Sequence, residues 1–594
     1  YLVYKQSDGD IFIRYIGSSK NIEIPAGVKT IRKSAFYGNE TIEEVVIPAG
    51  VEAIETDAFR GCTGLKTVRI ADGVVEFAQD VFNGCTSLTT VVLPNNLQKI
   101  SAGLFDGCSS LTEIALPSGV TEIGERAFKD TNLAQITLAD GITKISDSAF
   151  MGAKLVTITL SDSITQIDES AFEDCTELTT VVIPANSMLR IIGKYAFAYC
   201  RNLETITLPE GLTTIGTGAF YHKNSGSKLE SINLPSSLTT LGDQAFAYTA
   251  LKAIEIPESI TVIKEYTFVE CHSLTDVKLP STLTEIGECA FRDCVKLVSI
   301  DIPESLRIIR KGAFAYCNEL TALALPNDMT TIESGILQMS NKLKSLAVPF
   351  IGSSLDSEES NVTYSHFFLG GSGIFGGVPD SLKNLSVYGG KILRWSFWPK
   401  YSATGSAIDN ANGSLTSLTL GEGVTSIAYG ALESLTALKS LVLPYAGVTS
   451  AAEVGQANQT LEYLFNQRLF NRTTTWKNLE TIGVLSGEIP ESFYNNYNNE
   501  NVTNKFKTLI LGKGVTKISL KIFNIRAASV YYMGTEAEWN SITFENNLEL
   551  EKYATHYFYS ATDPFTGSGA VTSGNYWHYG TTMTETLIWE VPTV

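Results

Sequence analysis

With 63 acidic against 44 basic side chains, this chain of 594 residues carries a formal charge of −19, a sign that repels nucleic acid and anionic lipid. No apolar run approaches the roughly 18 residues that span a bilayer, and the length exceeds one ordinary core, so several domains or a repeat array are expected. Nine cysteines, an odd number, argue against a fully paired disulfide framework, and no C-x-x-C pair or Cys/His cluster offers zinc ligands.

The sequence opens on Tyr1 with neither an initiator Met nor a charged-then-apolar leader, and reads as a processed or trimmed form. Residues 1–24 read as a hairpin turning at Asp8-Gly9, placed to cover the open edge of the first coil of a repeat array. From there the phenylalanines at 36, 59, 82, 105, 128, 150, 172, 197, 220, 246, 268, 291 and 314 recur every 22 to 26 residues, a solenoid period. One clean unit runs Leu274, Val277, Leu279, Pro280, Leu283, Ile286, Ala290, Phe291, Cys294. Its "LTDVKLP" alternates apolar and polar residues as a half-buried strand does, and Pro280, which lacks an N–H, closes the strand. Most of the 18 prolines likewise follow Ile, Leu or Val at a strand end. The "IGECAF" stretch predicts a tight helical turn with Ile286, Ala290 and Phe291 inward. A single coil cannot bury about seven apolar anchors, each worth roughly 1.5–3 kcal/mol when covered, so stability requires stacking coil on coil.

These residues resemble the BspA-type leucine-rich repeat, written here as "LTDVKLPSTLTEIGECAFRDC" and its siblings over most of the chain. The resemblance implies a solenoid with short parallel strands in one long sheet, tight or short helical turns opposite, and a cap at each end. It further implies a secreted or cell-surface bacterial protein that binds extracellular protein or glycan, without catalytic residues or cofactor. The domain reading is a capping hairpin at 1–24, regular repeats at 25–348, irregular repeats with two longer, duplicated, insert-bearing coils at 349–527, and a C-terminal cap at 528–594. Trp539, Tyr576 and Trp577 read as core of that last cap.

Eight of the nine cysteines stand three residues after the periodic Phe, where other coils place Asn39, Thr131, Ala153 and Thr249. Such tolerance argues against a metal or catalytic column, and buried free thiols are expected. Cys289 instead stands two before Phe291, in a slot filled elsewhere by Asp57, Arg126 or Ser148, and reads as the one solvent-facing thiol.

The x of the strand motif [IV]-x-[IL] is expected to face outward, giving a surface rich in Thr and other small residues, including Thr157, Thr159, Val182 and Thr207. On it, Glu255, Asp276, Lys278 and Asp301 form the only charged cluster and are candidate binding residues. A second candidate group is aromatic: Tyr364, Phe367, Trp395 and Trp398 either present a platform for a sugar or protein or fill the core of an oversized coil. Five scattered histidines lack metal spacing, and no G-x-S-x-G, H-E-x-x-H or P-loop occurs. Non-enzymatic adhesion or macromolecular binding is therefore the leading reading. A structural spacer in a larger surface protein and, more weakly, a glycan-active enzyme are its rivals. Oligomeric state is not readable.

Overall fold

The structure, a computed structural model, describes residues 2–4, 10–74, 76–223, 226–355, 364–368, 378–393, 396–397, 414–446, 464, 479–489, 507–518, 529–545, 555–559, 576–579 and 586–589. The chain divides into two compact units, Tyr1–Lys296 and Leu297–Val594.

In the first unit each coil has three sides. The first is the expected strand row, in which Asn21–Glu23, Glu44–Ile47, Thr67–Ile70 and Thr90–Val92 pair in parallel. Further runs of the same row are Thr157–Thr159 with Thr180–Val182 and Thr205–Ile206, and Ala253–Glu255 with Asp276–Lys278. The row is thus cut into sheets of four, three and two strands, joined in places by single bridges such as Thr137 to Thr159 and Thr207 to Asn233. Register places identical slots side by side, Thr67 against Thr90 and Thr157 against Thr180.

The second side carries a second parallel row, built from two-residue strands such as Glu122–Ile123, Lys144–Ile145 and Gln166–Ile167. In each the Ile is buried, with the residue before it at least partly exposed.

The third side is the Phe-bearing edge, made of consecutive turns. Here alternate backbone N–H groups divide their work. Ala35, Tyr37 and Asn39 donate to carbonyls three residues back in their own coil, while Ser34, Phe36 and Gly38 donate to Thr56, Ala58 and Arg60 of the next coil. The same pattern repeats coil after coil, so the edge leaves few orphan backbone groups. The turn takes a left-handed backbone two residues before and two after the Phe in most coils, as at Asp57 (φ 59°) and Gly61 (φ 71°) around Phe59. Glycine suits such a slot at no steric cost.

Beneath this edge the phenylalanines stack face to face, from Phe36–Phe59 at 4.5 Å between ring centroids to Phe268–Phe291 at 5.3 Å. Aromatic pairs in offset stacks add to the area they bury. At the N-terminal end Leu2–Tyr4 pairs antiparallel with Asp10–Arg14, which in turn pairs in parallel with Val28–Ile31 of the second row. Phe12 of this cap stacks on Phe36 at 4.9 Å and prolongs the aromatic column. The expected turn at Asp8-Gly9 lies outside the described residues. Asn21–Glu23, expected within the hairpin, belongs to the first strand row instead.

The second unit continues the coil pattern through Ala322–Ala324 and Ser345–Val348. Its longer strands, Asn384–Ile392, Ser417–Ile427, Thr481–Ile489 and Thr508–Ile518, then run through both strand rows without a break. The sequence explains the fusion: in these four strands the slot of the strand-ending proline holds Tyr388, Gly421, Leu485 and Gly512, each of which keeps the N–H that continues a ladder. Register slips beside Gly390 (φ 81°) and Gly487 (φ 85°) mark bulges at the old corner. The unit also holds Ser440–Tyr445, Ser529–Tyr532, Thr555–Tyr559, and the antiparallel pair Tyr576–Tyr579 with Thr586–Trp589. One short helix, Glu536–Trp539, starts on a capping box formed by Thr535 and Glu538. Its Trp539 is buried against Tyr532 and Phe544, as expected of cap core. The side chains of Tyr576 and Trp577 lie outside the description.

Candidate binding surface

The strand alternation turns Val68, Ile158, Ile254 and Val277 inward and leaves their neighbours in solvent. Thr157, Thr159, Val182, Glu255, Asp276 and Lys278 are all exposed, as the period of two requires. Lys278 Nζ lies 2.5 Å from Glu255 Oε1, its partner one coil earlier in register. That hydrogen bond, followed by the carboxylate charge, raises the Lys278 ammonium pKa. Both side chains are about 70% exposed, so the pair contributes little to stability and remains open to exchange for a ligand's charges.

Glu255, Asp276 and Lys278 line one cleft of about 520 Å³ together with Thr205, Thr207 and Asn233. The cleft opens where the strand row is interrupted, at coils whose strands are reduced to single bridges. A comparable cleft of about 600 Å³ sits at the other interruption, walled by Thr89, Glu113, Ala115, Gln135 and Thr137. Asp301 is exposed but belongs to the second unit. The expectation of a single charged cluster also needs correction, because Arg69 and Glu44 form another ion pair at 3.6 Å on the same face of the first unit.

The aromatic candidates separate. Phe367 is wholly buried at the end of the short 3-10 helix Tyr364–Phe367, and Phe368 and Phe397 are buried as well. The Leu337 N–H donates to the Phe367 carbonyl at 2.7 Å, which ties the segment to the preceding coil. Phe367 is therefore core and offers no platform. The Tyr364 side chain, Trp395 and Trp398 lie outside the described residues.

The cysteine column is a row of free, buried thiols. The reason for the residue type is a hydrogen bond: Cys62, Cys85 and Cys108 Sγ point at the carbonyls of Phe36, Phe59 and Phe82 one coil back, at 3.1–3.2 Å. Thr131 and Thr249 donate to their own coil's Phe carbonyl, and Ser340 reaches back to Phe314. Burial pushes the Cys108, Cys175 and Cys200 thiols up, and Cys271 to about 11, so these four are not poised as nucleophiles.

Cys289 departs from its expected place. It is only 5% exposed and sits at φ 52°, enclosed near Arg292 and Tyr266, and burial raises its pKa too. Among the described residues no group of three or more His, Cys, Asp or Glu is arranged to hold a metal.

One surface went unread in the sequence. In the second unit the outward slot holds Val442, Ile510 and Tyr531, which with Leu485 form a buried apolar cluster against Met533 and Tyr557. It borders a groove of about 580 Å³ walled by Leu355, Tyr388 and Met533. The signal was present as "LVLP", "LILG" and "VYYMG", apolar residues at the x of the strand motif in successive strands.

The family model described as BspA type leucine rich repeat region matches residues 11–134, 121–252 and 239–359. Among solved structures, a leucine-rich repeat protein from Bacteroides ovatus is 26% identical over 58% of this chain and 91% of its own, with a TM-score of 0.47. A leucine rich cell surface protein from Faecalibacterium prausnitzii is 25% identical over 58% and 94%, with a TM-score of 0.37. The leucine rich repeat protein of T. pallidum is 28% identical over 34% and 87%, with a TM-score of 0.27. No curated protein matches this sequence.

Proposed function

Because this chain belongs to the BspA type leucine-rich repeat family, we propose that it is a non-enzymatic binding protein, secreted or held at a bacterial cell surface. It engages an extracellular protein or glycan across the outward face of the first strand row. The observation that carries this reading is the cleft at Glu255, Asp276 and Lys278, where exposed charges and hydroxyls of consecutive coils face solvent. Contact spread over many coils needs no reactive group, only a surface whose charges and hydrogen-bonding groups match the partner.

The test is an array of extracellular-matrix proteins and host and microbial glycans probed with the full chain and with Glu255→Lys and Lys278→Glu. For a partner bound at this cleft, each reversal weakens binding by about tenfold or more, the size of an interfacial charge effect of roughly 1.4 kcal/mol. A parent that binds nothing on the array, or variants that bind like the parent, would instead favour the spacer reading. Release of reducing sugar from any glycan on the array would overturn the non-enzymatic assignment.

A further inference from the structure

The turn edge of the first unit carries a feature that the strand face does not need. Tyr195, Tyr199, Tyr221 and Tyr248, from three successive coils, meet ring to ring. The Tyr195–Tyr221, Tyr199–Tyr221 and Tyr221–Tyr248 centroids lie 6.2, 5.6 and 5.4 Å apart, all edge to face. All four side chains are partly exposed.

Neither the turn nor the core calls for them. Tyr195, Tyr199 and Tyr248 sit at φ 53°, 59° and 65°, in slots where other coils place Gly103, Gly61 or Asp130. The turn sets this backbone coil after coil, and long side chains such as Arg126 and Gln244 take it too, but a tyrosine there is more strained than the glycine found in other coils. The interior beneath is already filled by the stacked Phe197, Phe220 and Phe246. A contiguous tyrosine surface has thus been placed at a conformational cost.

We propose that this tyrosine cluster binds a cationic, lysine- or arginine-rich polypeptide segment. Its surroundings are negative: Glu173 and Asp174 act on Tyr199, and Glu270 acts on both Tyr221 and Tyr248. Burial, then the neighbouring tyrosines and last Glu270, push the Tyr221 phenol up to about 12, so the ring at the centre of the cluster stays neutral and electron-rich at any physiological pH. The chain already demonstrates the contact, since Lys194 Nζ stands 5.2 Å from the centre of the Tyr195 ring. Arg292, the cation near Tyr248, is held by Asp293 at 3.2 Å. Ammonium or guanidinium groups over tyrosine faces, rimmed by carboxylates, join cation–π attraction to charge complementarity. A net charge of −19 draws the same partner from a distance. A neutral glycan would use the rings but gain little from the carboxylates.

The probe is octalysine, with its fully Nε-acetylated form as the uncharged control, titrated calorimetrically into the full chain. The parent should bind octalysine at least about tenfold more tightly than the acetylated peptide. The double variant Tyr199→Gly/Tyr248→Gly should lose about tenfold in affinity at an unchanged melting temperature, because glycine suits both backbone positions. Glu270→Gln, which keeps every ring, should weaken binding about threefold and guards against a folding defect in the double variant. Equal binding of the two peptides, or octalysine affinity unchanged in either variant, overturns the proposal. Charge reversal at Glu255 lies on another side of the coil and should leave octalysine affinity unchanged, so this site and the strand-face cleft fail or stand separately.

Discussion

Two positions per coil, on either side of the periodic Phe, set much of the residue-level logic. The demand there in most coils is for positive φ, which Gly and Asp meet with least strain, and this is why Cys289 misleads a reader of the sequence. Polar residues such as Asp57 and Ser148 in its slot suggest exposure, yet they answer to the backbone, and Asp80 in the same slot is itself buried. The free-thiol reading of the cysteine column was legible from its tolerance of Ala and Thr. Its hydrogen bond to a neighbouring carbonyl was not, because the acceptor comes from another coil. His222 makes a testable case. It is buried, and desolvation alone lowers its pKa from 6.5 to about 4. The unfolded chain therefore takes up the proton first as pH falls below 6.5. Stability is full above that pH and is lost progressively down to about pH 4, by at most about 3 kcal/mol. The urea midpoint of the parent should drop between pH 7 and pH 4.5 more than that of His222→Met. Parallel pH profiles for the two proteins would dismiss the effect.

At the scale of elements, the first strand row was readable because its alternation spans several residues and ends at proline. The second row was not, since a two-residue strand such as Glu122–Ile123 offers no period to detect. The fused strands of the second unit escaped for a related reason: their signal is the absence of a proline and the presence of glycine pairs. Close approach of neighbouring coils behind the second row has its own signature in Gly193, Gly216 and Gly242. A Cβ on Gly216 would fall 2.7 Å from the backbone of Gly193 and Lys194, atoms that cannot swing aside as a side chain can. Gly216→Ala should cost roughly 1–3 kcal/mol, the range of overpacked sites, and lower the urea midpoint of the first unit. A midpoint within error of the parent would mean that the coils part there without strain.

For the molecule as a whole, repeat architecture makes stability a sum of coils and of the interfaces between neighbours. Phe172, stacked on Phe150 at 5.4 Å and on Phe197 at 5.2 Å, sits within a long run of such interfaces. Phe172→Ala should cost about 3–5 kcal/mol, and hydrogen exchange should speed up most in the coils flanking residue 172 while strand Thr508–Ile518 keeps its protection. Acceleration spread evenly over both units would refute nearest-neighbour behaviour. The two surfaces proposed for binding were the least legible part of this chain, because a cleft arises from a gap in hydrogen-bonded register and a tyrosine cluster from side chains that are neighbours only across coils. The turn edge also has a direction. Its inter-coil N–H groups, from Ser34 to Thr56 through Gly218 to Asp243, point toward the C-terminal side, and the accepting carbonyls point back. Peptide dipoles aligned in this way add, as they do in a helix, but here the positive pole faces the C-terminal side, the reverse of an α-helix. At the opposite pole the Tyr15 N–H donates to the Ala35 carbonyl at 2.9 Å, so the N-terminal cap also supplies a proton donor to the negative end of this column.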